Sequence, residues 1–403
     1  MFDAAFFTTN RHHLYQKLKP HSLLVLTANG AMQRSPDGAY MFEQEANFWY
    51  LTGIDYADWR LLVDVDTGQE WLIAPEVGEV NQIFDGSLAP DDAMQQSGIS
   101  QVLSKRAGVA LLRQLLASKK QAYTLLPPPR RAYGFYTNRA QYDLVRQMSA
   151  ATLQDARLPL AQLRGIKQPV EISAIQKAVD VTVDGITAML QELPQLKHEY
   201  EVEARLSYEF RRRGARGHAY DPIVAAGQNA CTLHYAANNG PLGKKQWLLF
   251  DVGARHDHYA ADITRTVPLS SPTPRQVSLY QAVLRVRDMA ITLCRPGQNV
   301  RDYVEQVDSA MQTELIQLGL IQEKTVLAMR RYFPHAVSHG LGIDVHDPLG
   351  RPEVFAENMV LTVEPGIYVP EENIGIRIED DILISATGPV NLSAGLPAML
   401  DKF

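Results

Sequence analysis

The sequence predicts an α+β protein of two domains, a smaller α/β domain over residues 1–155 and a larger one over residues 156–403. Three observations carry this expectation. The first 155 residues mix short apolar strands with helical stretches. From about Arg164 the texture changes to long segments with apolar residues at helical spacing. Between those segments lie apolar runs that fold back on themselves around polar turns, as antiparallel hairpins do. At 403 residues, 46% hydrophobic and 21% charged, the chain is long enough to bury a core in each domain.

Taken in order, LLVLTA at 23–28 and WRLLVDVD at 59–66 are apolar, bounded by turn formers, and read as strands. Pro127-Pro128-Pro129 interrupts regular structure and leads into Tyr133, Phe135 and Tyr136, a connection late in the first domain. EISAIQKAVDVTVDGITAMLQEL at 171–193 predicts a helix, and YEVEARLSYEFRRRG at 200–214 a second one stopped by Gly214. Thr273-Pro274-Arg275-Gln276 has the capping-box pattern with proline at the first helical position, so a helix should run to about Leu293, with Pro296 and Gly297 closing it. WLLFDVG and YAADITRTVPL flank Arg255–His258, and LTVEPGIYV and GIRIEDDILI flank Glu371–Asn373. Both pairs predict hairpins covered by the helices.

Composition removes several classes of function. A net charge of -6 argues against a general nucleic-acid partner. The densest basic run, Arg211-Arg212-Arg213, reads as the solvated face of a helix. No run of 18 apolar residues exists, and MFDAAFFTTNRHH has neither a basic start nor a long apolar stretch, so neither a membrane span nor a secretory leader is expected. Two cysteines, Cys231 and Cys294, make no framework, which suits a reducing cytoplasm.

Five candidate metal ligands stand in the order Asp251, Asp262, His339, Glu364, Glu379. Asp251 and Asp262 are 11 positions apart, centred on His256–Asp257; Glu364 and Glu379 are 15 apart, centred on Glu371–Glu372. Residues symmetric about a tight turn face each other with Cβ atoms about 4.5–5.5 Å apart, so each hairpin is expected to present a carboxylate pair. The likeness of the two hairpins hints at an approximate internal two-fold arrangement. Two like charges 4 Å apart repel by about 4 kcal/mol at an effective dielectric of 20. Four converging acids must therefore hold protons or dications. Oxygen donors with one imidazole favour Mn, with Co, Zn or Fe also accommodated, and a two-metal site suits hydrolysis. Each residue alone has a plainer reading: Glu364 as an ion-pair partner of Arg377, His346 as a satisfied core histidine. His335 and His339 have the spacing of a helical metal pair, but Gly340 and Gly342 argue against a helix there.

These strings resemble the aminopeptidase P and prolidase family of pita-bread metallopeptidases, relatives of creatinase and methionine aminopeptidase. The resemblance rests on LHYAANN at 233–239, DVGARHDHYAADITRT at 251–266, HAVSHGLGIDVHD at 335–347, LTVEPGIY at 361–368 and IGIRIEDD at 374–381. RSPDGAYMFEQEANFWYLTGIDYADWRLLV at 34–63 looks like the start of bacterial Xaa-Pro aminopeptidases. The resemblance implies a pita-bread catalytic domain and cleavage between an N-terminal residue and a following proline. It also implies two Mn ions, bridged by Asp262 and Glu379, with Asp251 completing one site and His339 and Glu364 the other. Glu364 matches the general base; His234, His335 and His346 match histidines that bind substrate and move protons. Tyr220, Tyr368 and Arg377 match residues beside the metals, and Arg351 one near the substrate pocket. A homodimer or homotetramer assembled through the N-terminal domain is implied as well.

Departures from the pattern bear on substrate length. Gln82-Ile83-Phe84-Asp85-Gly86 occupies the stretch where bacterial relatives often carry a tryptophan that closes a neighbour's pocket. The link between Glu364 and Glu379 is compact. A tighter rim admits the alternative of an Xaa-Pro dipeptidase. A non-catalytic peptide-binding protein on the same fold is a remote alternative, because such relatives typically lose ligands that this chain retains.

Overall fold

The computed structural model describes residues 2–119, 121–127, 138–243 and 247–398. Residues 128–137, and with them most of the expected proline-rich connection, lie outside the described residues. The chain divides into two compact units, Met1–Leu163 and Arg164–Phe403.

The first unit is built on a six-stranded sheet: β1 (Leu23–Thr27), β2 (Arg60–Asp64), β3 (Gln69–Ile73), β4 (Val102–Leu103), β5 (Gln121–Thr124) and β6 (Thr152–Asp155), in the order β4-β3-β2-β1-β5-β6. β1 runs antiparallel to β2 and parallel to β5. All five residues of β1 are buried, as expected of a central strand covered on both faces by helices. The strands expected at 23–28 and 59–66 are β1 and β2.

In the second unit, helix Pro169–Glu192 begins with the Gln168–Glu171 capping box and buries Ala174, Ile175, Ala178, Val179, Thr182, Ile186 and Met189 along one stripe. Helix Glu199–Arg212 follows and gives way to Gly214 at φ 88°. The helix expected after Thr273 runs Pro274–Leu293, its Thr273 hydroxyl accepting from the Gln276 amide. Helix Val300–Gln317 comes next. Tyr280, Val283, Met311 and Phe333 pack with Ile367, Ile376 and Ile382 into one core, each fully buried apolar side chain contributing about 1.5–3 kcal/mol.

The strands of this unit are β7 (Gly217–His218), β8 (Ile223–Ala226), β9 (Trp247–Val252), β10 (Ala254–His256), β11 (Tyr259–Ala260), β12 (Ile263–Pro268), β13 (Val360–Val363), β14 (Gly366–Val369), β15 (Ile374–Arg377), β16 (Asp380–Ser385) and β17 (Gly388–Asn391). They pair antiparallel throughout, in sheets β11-β10-β7, β12-β9-β8, β13-β16-β17 and β14-β15. Helices Pro169–Glu192 and Glu199–Arg212 come before the first long hairpin and helices Pro274–Leu293, Val300–Gln317 and Val326–Arg330 before the second, and each hairpin is broken in its middle. The second hairpin turns at Pro370–Glu372 and closes at Asn373, φ 56°, where expected. The first turns one position later than expected. His256 pairs with Tyr259, and the left-handed residues are Asp257 and His258, φ 45° and 70°. A two-residue hairpin turn needs positive φ at both central positions, and that requirement sets the centre.

Candidate metal centre

Each break in a hairpin holds candidate ligands. Between β9 and β10 stands Gly253, where an added Cβ would lie 1.7 Å from the Ala261 carbonyl oxygen; only glycine lets the chains approach so closely. Asp262 lies in the gap between β11 and β12. The register pairs Asp251 with Thr264 and Val252 with Ile263. Asp251 and Asp262 are therefore not direct cross-strand partners, as the symmetric reading expected. The shifted turn moves the register by two positions, which keeps both on one face as diagonal neighbours. In the second hairpin, Val363 pairs with Asp380 and Gly366 with Arg377. One register spans both sides of the gap, and it sets Glu364 opposite Glu379 as expected. Pro365, without an N–H, interrupts the ladder there.

His339 reaches the cluster from an extended segment beside β13, not from a helix. Its N–H donates to Thr362 Oγ1 at 3.1 Å, Thr362 N–H donates to its carbonyl at 2.9 Å, and Glu364 N–H donates to the Val337 carbonyl at 2.9 Å. His339 Nδ1 lies 3.0 Å from the Gly340 carbonyl, which assigns the proton there and turns Nε2 inward. Nε2 lies 3.4 Å from Asp262 Oδ2 and 3.5 Å from Glu364 Oε1. One ligand atom each from Asp262, His339 and Glu379 lies within 4.8 Å of the others. Bonds of roughly 2.0–2.2 Å place donors on one ion about 3–4.3 Å apart, so these residues fit a divalent cation.

A hydrogen-bonded frame holds the donors. Arg377 Nη2 donates to Asp251 Oδ2 at 2.5 Å, its Nη1 to Tyr368 Oη at 2.7 Å and its Nε to Thr264 Oγ1 at 3.1 Å. Thr264 Oγ1 in turn donates to Glu379 Oε2 at 2.6 Å. Arg377 thus pairs with Asp251, and the plainer reading of a Glu364–Arg377 pair does not hold. Because Tyr368 Oη accepts from Arg377, its own proton goes to His335 Nε2 at 2.9 Å, leaving His335 Nδ1–H toward the Ala336 carbonyl. Tyr220 Oη contacts Asp251 Oδ1 at 2.5 Å and Asp262 Oδ1 at 2.6 Å. A phenol has one proton to give, so these two carboxylates need a further proton or a cation.

Electrostatics point the same way. Burial, reinforced by Asp262, Glu364 and Asp251, raises Glu379 well above the carboxylate range. Burial likewise pushes Glu364 up to about 7 against the opposing pull of His339 and Arg377. Although burial opposes it, the neighbouring Asp262 and Glu364 carboxylates push His339 up to about 9. Burial and then Arg377 lower His335 to about 3, so it is neutral at working pH. Carboxyls that cannot all ionise together need either protons or cations to balance them.

The other expected residues are placed differently. His346 is exposed, not a core histidine, and its ring centroid is 4.2 Å from that of His339. His234 is also exposed and near enough to His335 and His346 to act on their charge. Arg351 is exposed on a backbone with φ 59°, and none of the contacts that tie the cluster together involves it.

Residues 173–386 match the sequence profile of Metallopeptidase family M24, more than half of the chain. The chain belongs to family M24. As a member of M24 it is a metallopeptidase with a pita-bread catalytic domain, and such enzymes work with divalent metal ions. Residues 7–124 match the Aminopeptidase P, N-terminal domain. The chain is 32% identical to the Xaa-Pro aminopeptidase of Escherichia coli, over 97% of this chain and 94% of that protein. Among solved structures, E. coli aminopeptidase P with the inhibitor Pro-Leu superposes with a TM-score of 0.88 at 29% identity, covering 100% of this chain and 97% of the other. Proline aminopeptidase P II from Yersinia pestis gives 0.86 at 30% identity, covering 100% and 98%.

Sequence reasoning missed several supports of this M24 site. Thr264 joins Arg377 to Glu379, and Asp381 Oδ2 accepts the Asp262 N–H at 3.1 Å. Arg265, fully buried, donates to the carbonyls of Thr264 and Glu379 and at 2.8 Å to Asp380 Oδ1. The available signal was the polar alternation Asp262, Thr264, Thr266 and the acid run Glu379-Asp380-Asp381 inside apolar strands.

Proposed function

We propose that this metallopeptidase is an Xaa-Pro aminopeptidase, releasing the first residue of peptides whose second residue is proline. In this reading Asp251, Asp262, His339, Glu364 and Glu379 hold two Mn ions. When bound, a pair of divalent cations supplies a water of lowered pKa and polarises the scissile carbonyl. Glu364 accepts the proton given up by the attacking water and delivers it to the departing proline nitrogen. His335, neutral and with Nδ1 3.4 Å from Glu364 Oε2, lines the pocket beside that carboxylate. Asp251, with Tyr220, faces the free amine of the first residue. His234 and His346, on the exposed side, meet the substrate. An Xaa–Pro bond has no N–H for recognition, so a site that works through the carbonyl suits it.

The observation that carries the metal part of this reading is the inward Nε2 of His339 between Asp262 and Glu364. The near full-length likeness to proteins named Xaa-Pro aminopeptidase supports the substrate class. Assembly as a homodimer or homotetramer belongs to the same reading. Helix Glu79–Asp85 buries none of its residues and leaves Ile83 and Phe84 83% and 82% exposed, which suits a subunit contact in a cytoplasmic enzyme. Sedimentation checks it. The deciding experiment incubates Mn-loaded protein with Ala-Pro and Ala-Pro-Ala-Phe together and identifies products by mass spectrometry. Release of alanine from the longer peptide supports the proposal. Cleavage of Ala-Pro alone makes the enzyme a dipeptidase, and two intact peptides leave a binding protein.

A further inference from the structure

Beneath the loop that joins His339 to His346 lies a buried charge cluster outside the metal frame. Arg164, Lys167 and Asp347 are 1%, 2% and 4% exposed. Lys167 Nζ donates to Asp347 Oδ2 at 2.7 Å and to the Arg164 carbonyl at 2.5 Å. Arg164 Nη2 donates to Asp347 Oδ1 and, at 2.7 Å, to Asp344 Oδ2. Both cations stand just before helix Pro169–Glu192, far from Asp347 in sequence.

Asp347 is also the clasp of the loop. Its N–H donates to the Gly340 carbonyl at 2.8 Å, and its Oδ1 accepts from Asp344 N–H at 3.3 Å. A Cβ on Gly342 would lie 2.6 Å from Asp347 Oδ2, so the loop closes tightly over the carboxylate. His346 directly precedes Asp347, so the backbone clasped at Asp347 sets where its side chain starts, and its ring centroid lies 4.2 Å from that of His339. Replacing a buried ion cluster with apolar side chains is often neutral for stability or better. Fixing one orientation is a use for which apolar packing is a poor substitute.

We propose that Arg164 and Lys167, acting through Asp347, are positioning residues that aim the His346 imidazole at the substrate beside His339. The proposal rests on the reading of His346 as a substrate-handling group.

The test is a double-mutant cycle with Mn-loaded full-length protein and Ala-Pro-Ala-Phe, measuring kcat, KM and metal content for wild type, Asp347→Asn, His346→Ala and the double variant. Asp347→Asn is expected to lower kcat at least tenfold with metal content unchanged, and to lower it no further in the His346→Ala background. Equal losses in both backgrounds would show a structural role and overturn the proposal. Unchanged kcat in His346→Ala overturns it as well, while leaving the aminopeptidase reading intact. Inactive wild type instead sinks the functional reading itself. Should Asp347→Asn not fold, Lys167→Met, which leaves the Arg164–Asp347 pair, carries the same cycle with the same outcomes.

Discussion

Individual side chains in this site are defined by what they cannot do alone. Glu364 is the clearest case, since the proposed reading has it take the proton of the attacking water and return it to the leaving nitrogen. Glu364→Gln is expected to lower turnover by about 10²–10⁴-fold with the fold kept. Steady-state kinetics after metal reloading checks this, and activity within tenfold of wild type removes the base assignment. Tyr368 serves differently. Burial lifts its phenol to about 12, so it stays neutral and passes a hydrogen bond from Arg377 to His335. Tyr368→Phe removes the partner of buried Arg377 Nη1 and of half-buried His335 Nε2 and should cost about 1–3 kcal/mol, read from urea unfolding.

At the level of elements, the broken hairpins bring the donors together. Gly253→Ala forces a Cβ against the Ala261 carbonyl, so it is expected to cost about 1–3 kcal/mol and to weaken metal binding, measured by calorimetric titration. On β16, burial alone would raise Asp380, but Arg265 and Arg287 hold it at about 2. A depressed carboxyl stabilises the fold above its unfolded value near 3.8 and loses that contribution as pH falls through about 2. Acid unfolding between pH 4 and 2 should therefore lessen in pH dependence in Asp380→Asn, which is itself less stable by about 3–5 kcal/mol. An unchanged acid limb contradicts this account of Asp380. The elements themselves were legible because periodicity and capping are local: Thr273–Gln276 and Gly214 mark helix ends within a few residues. The second hairpin was legible to its register because Glu371–Asn373 is the natural turn. The first was misread by one position because left-handed tolerance at Asp257 and His258, rather than symmetry about the acids, chose the centre. Thr264–Glu379 and Lys167–Asp347 were not legible, since pairs 115 and 180 positions apart leave no local pattern.

For the molecule as a whole, cations that bind the folded form of residues 164–403 add to its stability. On the proposed ligand set, His339, pushed to about 9, and Glu364, at about 7, hold protons in the metal-free protein that leave when cations bind. Apparent affinity should rise with pH between about 6 and 9, with proton release visible in calorimetry across buffers of different ionisation enthalpy. Free metal at 100 times its Kd adds about 2.7 kcal/mol to stability, so a chelator should lower the Tm of this unit by about 5–10 °C. The most direct test of the central claim titrates metal-free protein with Mn while following alanine release from Ala-Pro-Ala-Phe. Activity that appears with metal and saturates at two equivalents per chain, and is lost in Asp262→Ala, is the predicted result. A folded wild-type chain that takes up no metal and leaves the peptide intact contradicts it.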